Sequence, residues 1–155
     1  MNSVSLVEAA DTGPFFHNNS AKTIEDAVRF YNTPVFSGDD PFQLDDAQVN
    51  QVAAFLRALN ALENIRNSNA LAEEAQRQPP PGAQGTVALA IADTRDAIEV
   101  LSGGPLDLYP DAVELLDEAL ELELDARETV PPPFRNPLLQ QAQALKDDAR
   151  AIILD

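Results

Sequence analysis

The residues best suited to chemistry lie in one short turn near the start of the chain. The single histidine, His17, directly follows two aromatic residues, Phe15 and Phe16. A Gly-Pro pair precedes them and Asn-Asn-Ser follows, and both are turn-forming sequences. An imidazole titrates near neutral pH and binds metals, and two large rings beside it favour a flat or apolar partner. The alternative is a turn histidine that pairs with local backbone while both rings fill the core.

Other kinds of chemical site lack their residues. With one histidine and no cysteine, one chain cannot assemble a metal site from several nitrogen or sulfur ligands. A serine hydrolase would need a nucleophile elbow of the form Gly-x-Ser-x-Gly, and phosphate-binding loops need a glycine pattern; neither occurs here. We therefore predict no catalytic residues and no metal ligands.

Composition limits the partners of the chain. A length of 155 residues suits one domain, or a small domain with an appendage. The net charge of -16 opposes nucleic-acid binding, because phosphates would be repelled. An acidic surface attracts basic proteins, although it also simply keeps a protein soluble. No apolar run is long enough to span a membrane, and no secretory signal pattern is visible.

Two helices are predicted after the aromatic turn. Thr23 with Asp26 three residues later is a capping-box variant, and the helix that follows must stop before Pro34. Asp45 is a plausible N-cap with Gln48 at the third helical position. The second helix is predicted from residue 45 to about residue 65.

The order of these features resembles the end of the C-terminal haem domain in di-haem cytochrome c peroxidases, a superfamily that includes the methylamine-utilisation di-haem enzymes. The matching stretches read FFHNNS, KTIEDAVRFY and VAAFLRAL. The resemblance covers about residues 1–62 and implies the terminal portion of a cytochrome-c-like fold. It further implies that Phe15, Phe16 and His17 line the haem environment, and that the protein is periplasmic.

The chain departs from that family at the haem-attachment motif. Covalent haem c requires Cys-x-x-Cys-His, and the sequence contains no cysteine. Haem c is thus implied by the family, whereas this chain alone is expected to carry no cofactor and to be catalytically silent. Its expected partner is an upstream haem-bearing portion or another protein chain.

Residues 63–155 are predicted to form an acidic helical extension that packs as an antiparallel bundle, so the whole chain is expected to be all-α. Within this extension, Asn-Ser-Asn at residues 67–69 is predicted to interrupt the first helix. The prolines at 131–133 are predicted to end the third helix of the extension. Asn136 is predicted to cap the last helix. The predicted core residues are Val87, Ile91, Thr94, Ile98 and Leu101, then Val113, Leu116, Leu120 and Leu124, then Leu138, Ala142, Leu145, Ala149 and Ile152. The acids on these helices are predicted to form a solvated face.

Two functions from different classes follow. The first hypothesis, implied by the resemblance, is that the chain is a C-terminal fragment or remnant of a di-haem cytochrome c peroxidase-like protein, which serves haem binding, electron transfer or peroxide reduction only with the N-terminal part. Alternatively, it is a cofactor-free acidic helical module that binds another protein. A third hypothesis is non-covalent haem binding through His17. Self-association is also expected if apolar residues such as Val28 and Leu56 form an exposed patch.

Overall fold

In the computed structural model, the described residues are 15–16, 20–33 and 44–155. Every regular element among them is an α-helix, which confirms the all-α prediction. The helices are α1 (Ile24–Tyr31), α2 (Asp46–Arg77), α3 (Gly82–Ser102), α4 (Pro110–Glu128) and α5 (Pro132–Leu154). The chain divides into two compact units, unit 1 (Met1–Asn60) and unit 2 (Ala61–Asp155), and the division falls within α2. No described helix is long and apolar enough to cross a membrane.

Both helix starts in unit 1 follow the sequence signals. Thr23 Oγ1 accepts a hydrogen bond from the Asp26 amide at 3.1 Å. Asp45 accepts from the Gln48 amide at 2.8 Å, and Gln48 accepts from the Asp45 amide at 3.0 Å. These reciprocal bonds satisfy amides that the first helical turn leaves without partners. The two predicted caps are confirmed.

The predicted break at residues 67–69 is wrong, because α2 continues to Arg77. Ser and Asn disfavour helices when their side chains bond to their own backbone. Here they bond to other helices instead. Ser68 Oγ lies 2.9 Å from the Ala90 carbonyl oxygen of α3, and Asn69 Nδ2 donates to Asp147 of α5 at 2.9 Å. Tertiary partners therefore remove the local competition with the helix.

The core of unit 2 follows a seven-residue repeat on all four of its helices. In each helix two columns of buried positions recur every seven residues, offset by four, as in packed helices with a heptad pattern. The small column is Ala61, Ser68 and Ala75 in α2, Ala83, Ala90 and Ala97 in α3, Ala112, Ala119 and Ala126 in α4, and Arg135, Ala142 and Ala149 in α5. The large column is Ile65 and Ala72, then Val87, Thr94 and Leu101, then Leu116 and Glu123, then Leu139, Lys146 and Ile153. Alanine at most positions of the small column permits close packing of helix axes.

The predicted core of α4 is partly wrong. Leu116 is buried as predicted, but Val113, Leu120 and Leu124 are only partly buried. Leu120 and Leu124 still pack against the buried core, while alanines, Leu116 and Glu123 take the fully buried positions. The fully buried positions of α4 follow the seven-residue spacing and not the hydrophobicity of the individual residues.

The start of α5 also differs from its prediction. The helix begins at Pro132, so Pro132 and Pro133 open it rather than close α4, which ends at Glu128. Proline fits this position because the first helical turn has no acceptors for its amides. Asn136 lies inside the helix and donates to the Gln76 carbonyl at 3.3 Å. Leu139 and Ile153 are buried, whereas Leu138 and Ile152 are partly buried, and Leu138 packs against the core.

A buried arginine closes one end of unit 2. Arg135, 1% exposed, donates from Nη2 to the carbonyls of Ala75 at 2.9 Å and Gln78 at 3.2 Å. These carbonyls lie at the C-terminal end of α2, which carries a partial negative charge and unbonded acceptors. Among the described residues, no carboxylate forms an ion pair with Arg135. The helix end therefore serves as its counter-charge.

Candidate functional site

The aromatic turn in unit 1 is partly described. The Phe15 amide donates to the Ala21 carbonyl at 2.7 Å. Phe15 and Phe16 are half-buried. The Phe16 ring lies 4.5 Å from the ring of Phe30 and 5.7 Å from that of Tyr31, between centroids. His17 lies outside the described residues, so its predicted role stays a prediction.

A buried ion pair joins the two helices that carry the family resemblance. Arg57 of α2 donates to both carboxylate oxygens of Glu25 in α1, at 2.6 and 3.0 Å. Burial by itself raises the pKa of Glu25, but the hydrogen bonds and charge of Arg57, a backbone hydrogen bond and Thr23 together lower it from its ordinary value of 4.5. The fork of a guanidinium matches a carboxylate in this two-bond geometry. The pair fixes α1 against the first part of α2.

The residues of this chain do not fit a covalently attached haem. Attachment requires two thiols, and there is no cysteine in the sequence. Phe15 and Phe16 can supply apolar ring surface to a flat ligand, but neither carries a donor atom for iron. Any covalent haem must therefore belong to a different part of the protein or to a different chain.

Unit 2 contains a second polar site, formed by one side chain from each of its four helices. We call it the polar cluster, and it consists of Ser68, Thr94, Glu123 and Lys146. All four residues have 0% exposure. Lys146 Nζ donates to Glu123 Oε1 at 2.6 Å and to Ser68 Oγ at 2.6 Å. Ser68 Oγ is 2.8 Å from Thr94 Oγ1, and Thr94 Oγ1 is 2.8 Å from Glu123 Oε2.

These distances allow a closed ring of hydrogen bonds. Lys146 donates to Ser68, Ser68 donates to Thr94, and Thr94 donates to the carboxylate of Glu123, which also accepts directly from Lys146. Each hydroxyl then uses its single proton once. Burial lowers the pKa of Lys146 from its ordinary value of 10.5, while the charges of Glu123, Asp147 and Asp93 and a hydrogen bond to Glu123 oppose the shift. The buried charge pair of Glu123 and Lys146 therefore has hydrogen-bond partners in both hydroxyl groups, those of Ser68 and Thr94.

The polar cluster has catalytic residue types but no access. A lysine beside a serine hydroxyl is a known arrangement for activating a nucleophile. Ser68 and Lys146 have no exposed surface, however, so a substrate cannot reach either atom in this conformation. Its described contacts join side chains of four different helices.

Sequence reasoning missed the polar cluster. The acids of the later helices were predicted to be solvated, which is wrong for Glu123, and Ser68 was assigned to a helix break. Thr94 was correctly placed on the buried face. The available signal was the heptad spacing, because Ser68 lies seven residues from Ala61 and from Ala75. Which polar residues of the four helices meet could not be read from spacing alone.

The exposed side of α4 forms a continuous acidic face. Two columns of seven-residue spacing lie on it, and every member is an exposed acid: Asp111, Glu118 and Asp125, then Glu114, Glu121 and Glu128. Arg127 is the one basic residue of the helix. We call these six residues the acidic face. Its spacing places like charges side by side, which favours a basic partner.

Comparisons with known proteins add no functional assignment. No protein-family model, curated protein or solved structure matches this chain. In the described part of the chain, no three His, Asp or Glu side chains converge as a candidate metal site.

Proposed function

We propose that this chain is the C-terminal part of a di-haem cytochrome c peroxidase-like protein. In this proposal, residues 1–62 are the terminal portion of a cytochrome-c-like fold, and they serve haem binding, electron transfer or peroxide reduction only together with a haem-bearing portion. Residues 63–155 form an antiparallel helical bundle appended to it.

The buried pair of Glu25 and Arg57 is the main support for this proposal. Both residues lie in the stretches that carry the resemblance, and their two-bond contact joins the helices of those stretches. A buried pair of this kind needs a defined helix arrangement, since loss of either partner leaves an unpaired charge. In the same unit, Phe55 is 64% exposed and Tyr31 is 59% exposed. Such exposed aromatic surface suits cover by another part of a protein.

The contacts of unit 2 support the bundle part of the proposal. Hydrogen bonds between α2 and α5 pair residues in opposite order along the two helices. Asn69 bonds to Asp147, and Gln76 bonds to Gln143. Opposite order is the arrangement expected for neighbouring antiparallel helices with short connections.

An absorbance titration tests the haem-related function. The purified chain is titrated with free haem, alone and after mixing with a separately produced haem domain of a di-haem peroxidase. We expect a flat titration for the chain alone, because it has no thiols, and stable co-purification with the haem domain. The variant Glu25→Gln, which removes the charge pair with Arg57, should weaken co-purification relative to the wild type. The proposal fails if the haem domain does not bind and the coding DNA upstream contains no in-frame Cys-x-x-Cys-His motif. A sharp Soret band that is lost with His17→Ala would instead support non-covalent haem binding by His17.

A second candidate function is docking of a basic protein on the acidic face. The observation that favours it is the pair of uniformly acidic columns on α4. Binding of a cationic electron-transfer protein is measured at two salt concentrations. We expect Glu114→Gln with Glu121→Gln to weaken binding at low salt, and Glu73→Gln with Glu74→Gln on α2 to have a smaller effect. Equal effects of the two variants would mean that net charge alone attracts the partner.

A further inference from the structure

The four helices of unit 2 form two hairpins with different kinds of connection. Four residues join α2 to α3, and three residues join α4 to α5, whereas seven residues join α3 to α4. Short connections fix the register of the helices they join. The longer connection constrains less tightly how the two hairpins pair with each other or with the hairpin of a second copy.

The apolar core does not by itself fix how the hairpins meet. Its columns repeat every seven residues, so a shift by one heptad places alanine and large apolar residues in equivalent positions again. In α5, for example, Leu139 and Ile153 flank Lys146 at this spacing. A seam of repeated apolar residues specifies its register weakly, and a buried polar residue is the usual way to specify it.

The polar cluster breaks this equivalence across the two hairpins. Ser68 and Thr94 belong to the first hairpin, and Glu123 and Lys146 belong to the second. Every contact between the two pairs crosses from one hairpin to the other, namely Lys146 to Ser68 at 2.6 Å, Thr94 to Glu123 at 2.8 Å and Ser68 to Glu123 at 3.1 Å. A shift of one heptad would place Glu123 and Lys146 opposite alanine or aliphatic residues and remove both hydroxyl partners.

We infer that the polar cluster is a register lock, which fixes one pairing of the two helical hairpins and disfavours shifted or exchanged pairings. The inference is independent of the proposed haem-related function. Buried polar groups with this role reduce stability relative to an apolar core while they select one structure.

Arg135 also joins the two hairpins, and it provides the matched comparison. It contacts backbone carbonyls at the end of α2. Such carbonyls do not depend on side-chain identity, whereas the polar cluster requires four particular side chains. Because loss of Arg135 leaves the polar cluster intact, it should weaken unit 2 without changing its register.

The test replaces the polar cluster in the full chain by apolar residues, as Ser68→Ala, Thr94→Val, Glu123→Leu and Lys146→Leu. Isoleucine methyl NMR gives the readout, since the chain has six isoleucines and three of them, Ile65, Ile91 and Ile153, are buried in unit 2. We expect the variant to stay helical with a urea midpoint at or above that of the wild type. We also expect more than one methyl signal for each buried isoleucine, or a larger mass in solution.

A single set of signals at the wild-type mass would overturn the inference. Arg135→Met should lower the urea midpoint but keep single signals. Multiple signals from Arg135→Met together with single signals from the apolar variant would also overturn the inference.

Should the apolar variant fail to fold, an exchange of charges decides the question. Glu123→Lys and Lys146→Glu are made separately and together. Each single variant buries two like charges, so multiple signals or unfolding are expected, and the double variant should regain single signals. A double variant no better than the worse single variant would contradict the register lock.

Discussion

At the scale of single residues, the two buried ion pairs have different surroundings. Arg57 forms two bonds to Glu25, whereas Lys146 shares its protons between Glu123 and the Ser68 hydroxyl. In both cases the removal of one partner leaves a charge without compensation, which is far more costly than removal of the whole pair.

Lys146→Met should strongly destabilise unit 2, because it leaves the Glu123 carboxylate buried without a cation. We expect a loss of about 3–5 kcal/mol in the free energy of unfolding, measured by urea titration. Addition of Glu123→Leu should recover most of that loss. Ser68 and Thr94 can then still bond to the Ala90 carbonyl. If the double variant is as unstable as the single variant, the charge pair is not the reason for the loss.

Glu25 should make the stability of the wild type sensitive to acid. Its pKa is lowered on folding from 4.5, so the unfolded chain binds the proton more readily. The stabilisation that the ionised Glu25 carboxylate gives to the folded state is fully present above pH 4.5. It disappears as the pH falls through the folded-state pKa of Glu25. We expect Glu25→Gln to flatten this dependence in urea titrations across the acidic range, with Asp26→Gln as a control at an exposed neighbour. Equal acid slopes for wild type and Glu25→Gln would contradict this assignment.

At the scale of helices, the small column determines how closely the four helices of unit 2 pack. Its alanines have no exposed surface, and side chains larger than a methyl group would push neighbouring helices apart. Arg135 departs from this pattern at the end of the unit, where its long side chain reaches the carbonyls of α2.

Ala149→Leu should destabilise unit 2, since the position is fully buried in the small column. Overpacking of a core site typically costs about 1–3 kcal/mol. Ala151→Leu is the matched control on the same helix, because Ala151 is exposed, and a surface substitution is expected to stay within about 0.5 kcal/mol. Thermal or urea unfolding of both variants measures the difference. Similar losses at the two sites would mean that helix spacing is not set by the small column.

At the scale of the whole molecule, the net charge of -16 opposes compaction. The acidic face concentrates part of that charge on one helix. Repulsion between exposed acids acts through solvent, so it depends on ionic strength, whereas the buried pairs depend on it much less.

Sodium chloride should raise the melting temperature of the wild type. Between about 0.01 M and 1 M salt the Debye length falls from about 30 Å to about 3 Å, which screens the repulsion between surface acids. Glu114→Gln with Glu121→Gln should reduce the salt-dependent increase, whereas Lys146→Met should leave most of it. Melting curves that do not respond to salt would show that surface repulsion contributes little to the stability of this chain.

The sequence by itself determined the helical class, two helix starts in unit 1 and the acidic character of the surface. These features depend on neighbours within one turn or on composition. Thr23, Asp45 and Gln48 lie within three residues of the groups they cap, so local spacing was sufficient to predict their contacts.

Only the tertiary structure decided the unbroken course of α2 and the membership of the polar cluster. Ser68 looks like a helix-breaking residue until its partners on α3, α4 and α5 are known, and Glu123 looks like one more surface acid. Their burial depends on side chains up to 78 residues apart in sequence, and those side chains meet only when four helices pack together. Local propensity carries no information about such distant partners, and this is why the site of unit 2 emerged from the structure.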